Sequence, residues 1–106
     1  MTFRSKKYLA AAKNQGCVFC GVNDGTVVAA HLTGLRASEF GKGKGVKVHD
    51  ILVADLCAKC HAAFDSYAVG QGATDWDVKV DHSEQMMACV LRTIIRRIDQ
   101  GVIGVI

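Results

Sequence analysis

Two cysteine pairs and a neighbouring histidine carry the most chemistry in this chain. Cys17 and Cys20 stand in "GCVFCG", and Cys57 and Cys60 stand in "DLCAKCHAAFD", with His61 directly after. A Cys-x-x-Cys-His run alone has three readings: c-type haem attachment, a redox dithiol, or metal ligation. Haem attachment needs export and a distal ligand. The N-terminal "MTFRSKKYLAAAKNQG" has an apolar patch broken by Lys13, too short for the core of a signal peptide. The methionines fall on what reads as a core stripe, so no haem is expected. A dithiol of the thioredoxin type needs a βαβ setting, and none is visible. The second pair decides the matter, because four thiolates in two knuckles close a tetrahedral structural zinc site. The long stretch between the knuckles adds only slowly growing loop entropy. In a chain this short the zinc would also contribute to folding. Cys89 is left over as a buried free thiol.

The elements that must hold these residues are short. Residues 5–14 read as a basic helix with Tyr8, Leu9, Ala11 and Ala12 on its buried side. "TVVAAHL" (26–32) and "DILVADL" (50–56) read as strands, from their β-branched and apolar content. Residues 58–68 turn to helix formers. A short strand is expected near residues 77–80. The longest helix is expected from His82 to Gln100, capped by Asp81 with Glu84 completing a capping box. Met87, Val90, Leu91, Ile94, Ile95 and Ile98 would form its buried stripe. Gly101 ends it, and "GVIGVI" is expected to add a short strand.

Strand, loop, strand and helix in that order suggest a ββα unit. Such a unit can bring the end of the first strand, at His31, against the first turn of the following helix. His61 and Asp65 share one face of that helix. That would place the three around one point, and His and carboxylate ligands with open positions are what a catalytic divalent metal needs in phosphodiester cleavage. A histidine beside the metal can take a proton from the attacking water.

The chain resembles zinc-stapled HNH (ββα-metal) endonucleases, and more closely the small HNH-like nucleases encoded by lambdoid phages and prophages. The resemblance rests on "VVAAHLTGL" (27–35), Asp50 seven residues before the second knuckle, "CAKCHAAFD" (57–65) and the closing "GVI" (101–103). It implies zinc on Cys17, Cys20, Cys57 and Cys60, His31 as general base, and His61 as a ligand of the catalytic metal, Mg2+ or another divalent ion. Asp65 falls where some members have a second helical ligand. Two departures stand out. Ala30 occupies the position before the base histidine, where the family usually has Asp or another ligand, and the motif Asn has no counterpart. Asp50, His49 or Asp55 would have to fill the vacant ligand role. The alternative is a decayed zinc module that binds DNA or a protein partner.

Composition sets the frame for these sites. Half the residues are apolar, there is no proline, and the net charge is +3. Residues 1–47 carry a net +6 and residues 48–106 a net −3. A basic N-terminal half suits DNA. Arg36, Lys42, Lys44 and Lys47 in the glycine-rich loop "GLRASEFGKGKGVK" are placed to contact phosphates without reading sequence. That loop is not a P-loop, because Gly41-Lys42 is followed by Gly43 and the glycine spacing is wrong. No run reaches the length of a membrane span. The expectation is one α+β domain over residues 1–106: a zinc-stapled HNH-like core, with a short N-terminal and a long C-terminal helix, acting on DNA in a bacterial cytoplasm.

Overall fold

The computed structural model describes residues 3–40 and 47–103. Lys42 and Lys44, and the last three residues of the expected tail strand, lie outside them. Residues 101–103 form a turn. The chain runs α1 (Lys6–Ala10), β1 (Val28–His31), a 3-10 turn (Ala37–Phe40), β2 (Val53–Leu56), α2 (Ala58–Asp65) and α3 (Asp75–Asp99). This is a small α+β fold with a two-stranded sheet, short helices and a long C-terminal helix. None of its described helices is long and apolar enough to cross a membrane.

The two strands are antiparallel, with Val28 opposite Leu56 and His31 opposite Val53. Two four-residue strands are marginal by themselves. Their stability comes from what covers them. All four residues of β2 are buried, and α3 is the helix that packs along it. The core joins Val27, Ala30 and Leu32 to Leu56, Phe64 and Met86, and includes Cys17, Cys57, Cys60 and Cys89.

Helix α3 starts seven residues earlier than its expected position. Thr74 accepts a hydrogen bond from the Asp77 amide, and the Asp77 carboxylate accepts one from the Thr74 amide. This reciprocal cap displaces Asp81 and Glu84 from the capping role and absorbs the strand expected at residues 77–80. Gly70 and Gly72 precede it and pass close by: a Cβ on Gly70 would lie 2.1 Å from the Val78 carbonyl oxygen.

The face α3 buries is also different from the expected stripe. His82, Ser83, Met86, Cys89, Val90, Thr93 and Arg97 face inward. Met87 and Ile94 are partly covered, whereas Leu91, Ile95 and Ile98 are 58%, 60% and 40% exposed. A buried ion pair accounts for the rotation. Arg97 and Asp55 are both fully buried, and the Arg97 guanidinium makes two hydrogen bonds to the Asp55 carboxylate. Arg97 Nε also donates to the Tyr8 carbonyl, and its guanidinium lies over the Tyr8 ring. Arg96 adds a further bond to Asp55 and one to the Gly16 carbonyl. Thr93 Oγ accepts the Asp55 amide. One carboxylate on β2 thereby ties together α1, β2, α3 and the approach to the first knuckle.

Candidate functional site

The first knuckle is built by its backbone. The Cys17 amide donates to the Val22 carbonyl and the Gly21 amide to the Cys17 carbonyl. Gly21 turns the chain at φ +84, a conformation open to glycine without a steric penalty. The Val18 amide then donates to the Asp55 carbonyl, which sets this knuckle against the end of β2. The second knuckle is the start of α2. Cys57 is its N-cap residue, and the Ala58 amide is satisfied by the Thr26 hydroxyl. Phe19 from one knuckle meets Phe64 of α2 edge to face at 5.1 Å.

These local turns bring the sulfurs of Cys17, Cys20, Cys57 and Cys60 within 4.8 Å of one another. A tetrahedral zinc with bonds of about 2.3 Å separates its sulfurs by about 3.8 Å. Cys20 and Cys57 Sγ are 3.7 Å apart, so the residues fit the ion the spacing called for. Burial pushes the Cys17 thiol up, but hydrogen bonds from the backbone of Cys20, Cys57 and Phe19 outweigh it and bring its pKa down to about 7. Burial and the three neighbouring cysteines raise Cys60. A cation among them removes that mutual repulsion. Four cysteines arranged this way are able to bind a structural metal ion such as zinc.

The expected catalytic residues separate into two pairs. His31 Nε2 lies 2.8 Å from Asp50 Oδ1. Asp50 is buried and also accepts from Arg4 Nη1 at 3.0 Å and from the Ser5 amide at 2.8 Å. Burial works against its charge, but the bonds from His31, Ser5 and Arg4 outweigh it and hold the carboxyl below its ordinary value. Arg4 is itself oriented by the Val48 and Lys47 carbonyls, and His49 Nδ1 accepts the Phe3 amide. His61 and Asp65 form the second pair, Nε2 to Oδ2 at 3.4 Å on the half-exposed side of α2.

The strand register explains the separation. His31 sits opposite Val53, whereas α2 leaves the sheet beyond Leu56, opposite Val28. Three residues of strand amount to about 10 Å. Among the described residues, the cysteines are the one group of three or more His, Cys, Asp or Glu side chains close enough to share an ion. Asp55 is spoken for by Arg97 and does not fill a ligand role. Arg36 is exposed and pairs with Glu39 at 3.1 Å, and Lys47 is exposed at the end of the loop.

Spacing did not reveal Arg4 or the Ser5 amide as partners of Asp50, nor His82. His82 is fully buried, stacked on Tyr67 at 4.1 Å and 3.1 Å from the Thr33 hydroxyl through Nε2, while its Nδ1 has no partner.

No curated protein and no solved structure matches the chain. A family model described as a protein of unknown function (DUF968) matches residues 1–99, and the chain belongs to that family.

Proposed function

We propose that this protein is a metal-dependent DNA endonuclease of the HNH type, stapled by zinc and working with His31 as general base. The observation that carries this reading is the His31–Asp50 pair. A carboxylate fixed from three sides holds one imidazole nitrogen and leaves the other, Nδ1, to take a proton. The water that loses this proton attacks phosphorus through its oxygen, and the bond from phosphorus to the leaving sugar oxygen breaks.

His61 and Asp65 would hold the divalent ion, its remaining positions filled by water and substrate phosphate as is usual for Mg2+. When bound it would neutralise charge developing on the phosphate oxygens. Arg36 and Lys47 supply phosphate contacts, with Lys6, Lys7 and Lys13 adding to the positive N-terminal surface. A phage or prophage DNA-processing setting in the bacterial cytoplasm follows from the sequence resemblance.

A second reading, a zinc module that binds DNA or a protein without cutting, is favoured by one observation. The described residues bring no third ligand to His61 and Asp65.

Incubation of supercoiled plasmid with Mg2+, Mn2+ or Ni2+ separates the readings. The nuclease reading expects nicking that depends on the ion and is lost in His61→Ala. Equal traces from both proteins would defeat it and leave the binding module.

A further inference from the structure

Helix α3 carries more apolar surface than the fold covers. Val80, Glu84, Met87, Leu91, Ile94 and Ile98 lie in one line along it, advancing by alternating steps of four and three residues. That spacing is the seam of a helix packed on another helix. Within the line Val80, Leu91 and Ile98 are 37%, 58% and 40% exposed, and Ile95 beside it is 60% exposed.

We propose that α3 is the interface of a two-fold homodimer, in which two copies of the chain pack antiparallel along this line. The row is symmetric about position 89: Val80 and Ile98, Glu84 and Ile94, and Met87 and Leu91 are equidistant from it. Any row of alternating four- and three-residue steps has this symmetry, so an identical copy can lie antiparallel along it in register, as a two-fold contact needs. The antiparallel pair sets Val80 against the partner's Ile98 and Met87 against the partner's Leu91, over a seam of about 27 Å.

Charge selects the same direction. Asp75, Asp77, Asp81 and Glu84 precede the midpoint, against Lys79 alone, while Arg92, Arg96 and the buried Arg97 follow it, against Asp99 alone. Arg96 is engaged by Asp55, whereas among the described residues Arg92 makes only long contacts, 3.5 Å to the Val18 carbonyl and 3.9 Å to Cys89 Sγ, and is the freer cation. A parallel pair would stack four carboxylates on the same four. The antiparallel pair brings Glu84 near the partner's Arg92. At its N-terminal end the seam opens into a groove of about 360 Å³ lined by Leu35, Arg36, Trp76, Val80, Ser83 and Glu84. The partner's Ile98 enters beside it. The inference stands apart from the hydrolytic reading.

Sedimentation equilibrium of the zinc-loaded chain, from micromolar to near-millimolar, tests it. The mass is expected to rise toward twice 11.4 kDa. Leu91→Glu and Ile95→Glu, at exposed positions, should keep one bound zinc and the far-ultraviolet spectrum. Each should weaken association about thirtyfold or more, as buried interface anchors do. Glu84→Arg should weaken it severalfold, and adding Arg92→Glu should restore it. A monomer throughout, or a dimer indifferent to Leu91→Glu, would overturn the interface. Indifference to Glu84→Arg would overturn the antiparallel arrangement.

Discussion

At the scale of single residues, neighbours within one pentapeptide have different surroundings. Cys57 and Cys60 belong to the four-sulfur cluster, whereas His61 turns outward to Asp65. His82 shows the opposite case, an imidazole with no outlet. Burial lowers its pKa, so the folded protein holds it neutral where the unfolded chain, with a value near 6.5, takes up a proton. The stability it lends is complete above about pH 6.5 and falls as the pH drops toward the depressed folded value. His82→Phe should flatten that part of the stability profile, measured by urea unfolding at stepped pH. A slope equal to that of the parent would show that His82 does not titrate on unfolding. The four cysteines were legible in sequence because a knuckle is local, two ligands in four residues. Asp50 was legible as a position but not as an environment. Arg4 reaches it across 46 residues, and no spacing rule encodes that encounter.

At the scale of elements, α3 decides how the rest is arranged. Its existence was plain in the sequence, its boundary and its orientation were not. Val78 and Val80 read as strand, and the Thr74–Asp77 box overrides them. The helix is apolar around much more than one face, so periodicity alone could not say which side is inside. The buried pair of Asp55 and Arg97 supplies the answer, and a buried arginine is not a residue that hydropathy places in a core. Removing one partner of such a pair leaves the other charged and unpaired, at a cost of about 3–5 kcal/mol. Asp55→Ala is therefore expected to destabilise the fold by that amount in urea titration, with Arg97→Ala similar. Asp55→Ala combined with Arg97→Met should cost less than the two single losses added. Additive losses would show that the two side chains do not act as a pair. The strand order was legible as well, but the register that parts His31 from His61 was not, since both strands are short and apolar.

At the scale of the whole molecule, the described sheet and helices are held by the four-cysteine cluster and, two residues back along β2, by the Asp55–Arg97 tie. Neither strand would persist alone, and a metal bound by the four cysteines would contribute its binding energy to the fold. Removing the ion with a strong chelator should melt the far-ultraviolet spectrum cooperatively, and restoring zinc should recover it. A chain that keeps its spectrum without metal would break that linkage. The functional claim is tested most directly by the rate at which matched zinc-loaded preparations nick supercoiled plasmid. Parent, His31→Ala and Asp50→Asn are compared at saturating Mn2+. A general base contributes about 10²–10⁴-fold. His31→Ala should fall by at least the lower figure, and Asp50→Asn, which keeps the shape but loses the charge that holds the imidazole, should fall between the two. Nicking at one common rate in all three proteins would contradict the assignment of His31 and Asp50 to the hydrolytic site.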